Sequence, residues 1–109
     1  MLKNGGFYIG ACSITLVLRG NSSLKGKRSV LNRIKDRVKH RFNIAISEVG
    51  ELDVHQVAHI AAATVGNDRT YIEGQLTHLI EFIGGLTEAE VSHAEISIDI
   101  KGKGENVLF

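Results

Sequence analysis

The chain has 109 residues and a mass of 11.9 kDa, one domain's worth, with 43% hydrophobic and 23% charged residues. That composition excludes a disordered tail, a collagen-like fibre and a uniformly polycationic or polyanionic chain. No apolar run approaches the roughly 18 residues of a membrane span.

The N-terminus lacks the apolar core and cleavage site of a signal peptide. The single cysteine, Cys12, has no internal partner for a disulfide. A cytoplasmic location is therefore expected, with no membrane contact. One domain is expected over residues 1–109, its core at about 7–100 and its termini frayed.

Residues 7–19 are rich in β-branched and apolar types and predict a strand, with Ile14, Leu16 and Leu18 on one face and Ser13, Thr15 and Arg19 on the other. Gly20-Asn21-Ser22-Ser23 breaks it, and either serine can cap a following helix. Leu24, Val30, Leu31, Ile34, Val38 and Phe42 fall within an arc of about 120° at helical spacing, which predicts a helix over 24–41. Residues 43–49 predict a short strand, 50–53 a turn and 56–65 a third strand. Ile72, Leu76, Leu79, Ile80 and Ile83 then recur at helical spacing before Gly84-Gly85, and Thr70 with Glu73 has capping-box spacing, Asn67 and Asp68 being the other candidate caps. A last strand is predicted at 94–100, where Ala94, Ile96, Ile98 and Ile100 alternate with Glu95, Ser97 and Asp99. The order β-α-β-β-α-β predicts an α+β fold, the ferredoxin-like split βαβ, with a four-stranded antiparallel sheet and two helices on one face. The sheet face without helices is a candidate homodimer interface.

The net charge of +1 hides a segregation. Eight of the thirteen basic residues lie in 25–41 (Lys25, Lys27, Arg28, Arg33, Lys35, Arg37, Lys39, Arg41), with Asp36 the one acid; residues 42–100 hold ten acids and one base, Arg69. With Lys25 at zero, Arg28, Lys35 and Lys39 fall near 280–320° on a helical wheel, a ridge about 16 Å long, while Arg33 and Arg37 lie on the opposite edge. Such a ridge suits several backbone phosphates. Lys25, Lys27 and Arg28 crowd the first turn, where the helix dipole disfavours cations. With Ser23 and free N–H groups they would form an anion site. The plain counter-reading is a solvated helix whose lysines and arginines lie along a buried stripe.

Catalytic and metal chemistry find little support. His55 and His59 have i, i+4 spacing, but in a strand they stand about 13 Å apart, too far to share an ion. His40, His78 and His93 lack ligand-spaced neighbours. Ser22-Ser23-Leu24-Lys25 matches S-x-x-K without its companion motifs. Cys12 reads as a buried thiol, and Glu48, Glu51 and Asp53 read as turn chemistry. An RNA-recognition motif would need aromatics on the central strands, which HIAAATV lacks. No cofactor, no metal and no enzymatic activity are expected.

Ser23-Leu24-Lys25-Gly26-Lys27-Arg28, Arg41-Phe42-Asn43, Glu48-Val49 and Ala63-Thr64-Val65-Gly66-Asn67-Asp68, in this order and spacing, resemble the YlxP-like family of small bacterial proteins of unknown function. The resemblance runs from about residue 7 to 100. It implies a ferredoxin-like fold and genes often found among translation and ribosome-maturation factors. It carries no catalytic residues, only the motif itself, Ser23, Leu24, Lys25, Lys27 and Arg28, with Asn67 and Asp68 as a second element. The expected function is therefore binding of ribosomal RNA or a ribosomal subunit through the first helix. A homo-oligomeric interaction module is the alternative, and a small phosphate-handling enzyme ranks below both.

Overall fold

The computed structural model describes residues 5–86 and 89–102. The chain runs β1 (Phe7–Val17), α1 (Leu24–Arg41), β2 (Ala45–Val49), β3 (Val57–Gly66), α2 (Arg69–Gly84) and β4 (Glu90–Lys101). The strands form one antiparallel sheet in the order β2-β3-β1-β4, the ferredoxin-like arrangement. The termini expected to fray lie largely outside the described residues.

Alternation on β1 decides which face of the sheet is covered. Cys12, Ile14 and Leu16 point inward with Ala58, Ile60 and Ala62 of β3. They meet Leu31, Ile34 and Val38 of α1 and Ile72, Leu76, Leu79 and Ile83 of α2 in one buried cluster. Both apolar stripes thus pack on the same side of the sheet. On the other face lie Ile9, Ala11, Ser13 and Thr15 of β1, cross-paired with Val65, Ala63, Ala61 and His59 of β3.

Helix α1 begins where the serine pair allows. Ser23 is the cap, its Oγ accepting from Gly26 N–H at 3.0 Å. For α2 the cap is Asp68, which accepts from Tyr71 N–H at 3.1 Å, and Thr70 lies inside the helix, correcting the expected capping box. Strand β2 starts at Ala45 rather than residue 43, and β3 spans Val57–Gly66.

Strand β4 departs furthest from expectation, starting at Glu90 instead of 94. Its register on β1 shifts between Thr15 and Leu16, which pair with His93 and Val91. Ser92 is the extra residue, its hydroxyl donating to Thr15 O at 3.4 Å. This bulge interrupts the alternation that marks a strand in sequence.

Candidate nucleic-acid interface

Among the eight cations of residues 25–41, Lys27 is fully buried. On the helical wheel it falls at about 200°, the centre of the apolar arc, so the helix directs it into the protein. Its ammonium donates to Val54 O at 2.7 Å and Glu51 O at 3.1 Å, and reaches Leu52 O at 3.5 Å. These carbonyls belong to the β2–β3 connection. Glu48 Oε2, on β2, lies 3.0 Å from the same nitrogen. The angles at that oxygen fall short of a well-directed hydrogen bond, but the 3.0 Å approach pairs the two groups in both position and charge. Lys27 therefore cannot face a phosphate, and the expected anion site at the start of α1 loses its central cation.

Arg28 is held as well. Its Nη1 pairs with Glu48 Oε1 and its Nη2 donates to Leu52 O at 3.1 Å, leaving the side chain 45% exposed. Upstream, Asn21 Nδ2 donates to Ser23 O and His55 O at 2.8 and 2.5 Å. A β-carbon on Gly26 would come within 2.2 Å of Asn21 Oδ1, so the close approach of the amide requires glycine. The Ser23–Arg28 motif thus caps α1 and fastens it to the β2–β3 turn.

The Glu48 carboxylate is 5% exposed. Burial pushes its pKa up, but the hydrogen bonding and charge of Lys27 and then Arg28 outweigh it, and the pKa falls below the ordinary value. A carboxylate depressed in the folded state stabilises the fold above its unfolded pKa, and that contribution is lost as pH falls through the folded one. Thermal melts from about pH 5 to about pH 2 should show Tm falling more steeply in the wild type than in Glu48→Gln, whose starting Tm is lower. Parallel slopes would refute the ion-pair account.

The remaining cations of α1 differ. Lys25, Arg37 and Lys39 are exposed and Lys35 is half-buried, and none has an ion pair or side-chain hydrogen bond among the described residues. Arg33 donates to Ser29 Oγ at 2.8 Å. Of the other motif residues, Leu24 is half-buried as the first residue of α1, Asp68 caps α2, and Asn67 is exposed at a small depression with Tyr8 and Arg69.

One constellation was not legible in sequence. On the open sheet face Thr15 Oγ1 lies 3.2 Å from His59 Nδ1, and His59 Nε2 lies 2.9 Å from Glu51 Oε2. The strand register that joins these residues cannot be read from a single sequence. The order is that of a hydroxyl, a base and an orienting acid. Thr15 stands on the open sheet face beside the β1–β4 bulge, paired with His59 of β3 and His93 of β4. Cys12 is buried, and desolvation raises its thiol pKa despite a hydrogen bond to the Ala62 backbone, so it is a poor nucleophile. Among the described residues no three His, Cys, Asp or Glu side chains gather as a metal would need, and no helix is long and apolar enough to cross a membrane.

Residues 9–96 match the model of a family described as protein of unknown function, DUF503. The chain belongs to this family. DUF503 similarity extends to the uncharacterized protein YlxP of Bacillus subtilis (strain 168), 37% identical over 82 residues, or 75% of this chain and 89% of that protein. Among solved structures, the de novo designed protein Foldit4 has a TM-score of 0.47 at 16% identity, covering 90% of this chain and 99% of that one. The DUF503 match contains both helices, β2 and β3 entire and most of β1 and the first half of β4, so the α1 anchor lies within it.

Proposed function

We propose that the protein is a non-enzymatic, cytoplasmic RNA-binding factor that associates with ribosomal RNA or a ribosomal subunit through the outer surface of α1. The observation that carries this reading is a set of cations, Lys25, Lys35 and Lys39 along one edge of α1 and Arg37 on the other, none with an ion pair or side-chain hydrogen bond among the described residues, on a helix whose sole acid is Asp36. Along the helix, Lys35 to Lys39 is one turn and Lys25 to Lys35 almost three, a spacing that follows successive phosphates. The interface retains Ser23 only as a cap and excludes Lys27. Arg28 contributes through its exposed part.

The test is co-sedimentation with small subunits, large subunits and naked RNA at two salt concentrations. Lys35, Arg37 and Lys39 should be replaced together by alanine. Arg28 is spared because its loss would unpair Glu48. The triple variant should keep its Tm, bind RNA more weakly and lose about 2 units from the slope of log K against log salt. Unchanged binding and slope would refute the reading.

A second reading, self-association through the open sheet face, draws on Val49 and Val65, exposed at 41% and 66%. It predicts concentration-dependent mass in solution that Val65→Lys abolishes while RNA affinity is unchanged.

A further inference from the structure

The far end of α1 meets the start of α2 in a cleft of about 510 Å³, lined by Arg41, Phe42, Asn43, Thr70, Tyr71, Gly74, Gln75 and His78. Three of these residues define its shape. Tyr71, Gly74 and His78 share one face of α2 at i, i+3 and i+7. Their spacing places the α-carbons of the two aromatic residues about 10.5 Å apart along the axis with the glycine between them. Gly74 lies in the helix interior, where glycine is unfavourable. A β-carbon there would meet nothing within 4 Å, so packing does not require glycine. What it leaves is an open slot between two exposed aromatic side chains. Two stacked contacts, each with centroids about 4.5–7 Å apart, would span such a gap.

The His78 wall is packed. Phe42 meets the His78 ring edge-on, centroids 5.4 Å apart at 88°, and packs against Phe82 at 5.5 Å. Arg41 is held over Phe82, 5.0 Å from its centroid. On the wheel, Arg33, Arg37 and Arg41 form one edge of α1 at i, i+4 and i+8, so a line of guanidinium groups leads to the cleft. Asn43, Gln75 and Thr70 supply amide and hydroxyl groups at the rim.

We infer that this cleft seats a single unstacked nucleobase, between Tyr71 and His78, with the attached phosphate on the Arg37–Arg41 edge. Single-stranded RNA offers such bases, and ring stacking with nearby guanidinium groups is how proteins take them. This inference rests on the RNA-binding reading of α1 and adds to it a base-reading element at the opposite end of the helix from the Lys27 anchor.

The test is an equilibrium titration with a short single-stranded RNA of mixed sequence and with the same ribose-phosphate chain lacking bases. It uses the intact chain, Tyr71→Ala, Gly74→Leu and the Lys35/Arg37/Lys39→Ala variant. Wild type should bind the base-carrying RNA about tenfold or more tightly than the abasic chain. Tyr71→Ala and Gly74→Leu should each remove that difference while leaving the abasic affinity, the salt slope and the fold intact. Gly74→Leu should melt no lower than wild type, since leucine is the better helix former. If both variants keep the full preference while the charge variant weakens all binding, the cleft inference fails and the α1 reading stands. If wild type binds neither chain at low salt, both fail.

Discussion

Lys27→Met should destabilise the domain by about 3–5 kcal/mol, the cost of removing one partner of a buried ion pair. The methionine fits the volume of the stem, so the loss falls on what the ammonium satisfied. Glu48 keeps only Arg28, and the carbonyls of Glu51, Leu52 and Val54 lose their buried donor. Denaturant unfolding measures the total. Hydrogen exchange should locate it, with faster exchange at the β2–β3 connection than at the centre of β1. Lys27→Met/Glu48→Leu should recover part of the loss, because two apolar side chains replace a desolvated pair while the carbonyls stay unsatisfied. A change below about 1 kcal/mol for the single variant would show that the site contributes little net energy.

Gly10→Ala is the second large effect, expected at about 1–3 kcal/mol of destabilisation through overpacking. Gly10 lies mid-β1, paired with Thr64 on one side and Ile98 on the other. A β-carbon there would stand 2.3 Å from Ile72 Cγ2 and 2.9 Å from Leu76 Cδ1. Neither atom can retreat cheaply, because both side chains are fully buried in α2. For a domain of this size a loss of 1 kcal/mol lowers Tm by about 4–8 °C, which calorimetry resolves easily. Shortening Ile72 to alanine makes room, so Gly10→Ala/Ile72→Ala should cost less than the two singles added together. Strict additivity would mean that the helix does not approach the sheet so closely.

Much of the fold was open to reading because hydrophobic spacing is strong where helices and strands pack on one core. Helix α1 falls where its apolar arc places it, and β1 is marked by alternation of Cys12, Ile14 and Leu16. The misses have local causes. The bulge at Ser92 hid the start of β4, and Thr70–Glu73 imitated a cap that Asp68 supplies. At the site, Lys25, Lys35, Arg37 and Lys39 reach the surface as their wheel positions suggest. Lys27 carried a signal of its own, since a cation at the middle of an apolar arc must be buried or distort the helix. Its partners could not be found, because Glu48 and the carbonyls of 51–54 meet it only through tertiary packing. The Thr15–His59–Glu51 chain and the cleft between Phe42 and His78 depend on register and helix pairing in the same way.

The placing of β1 between β3 and β4 has a consequence for synthesis. Once the chain as far as Leu86 is clear of the ribosome, β3 is available to one side of β1 and both helices to its inner face. Its other edge, from Phe7 to Val17, must wait for residues 90–101. Until then it is a long, apolar row of unpaired backbone groups, the kind of edge that recruits strands from neighbouring chains. The last strand closes that edge, and a released chain that ends before Glu90 should be the aggregation-prone form of this protein.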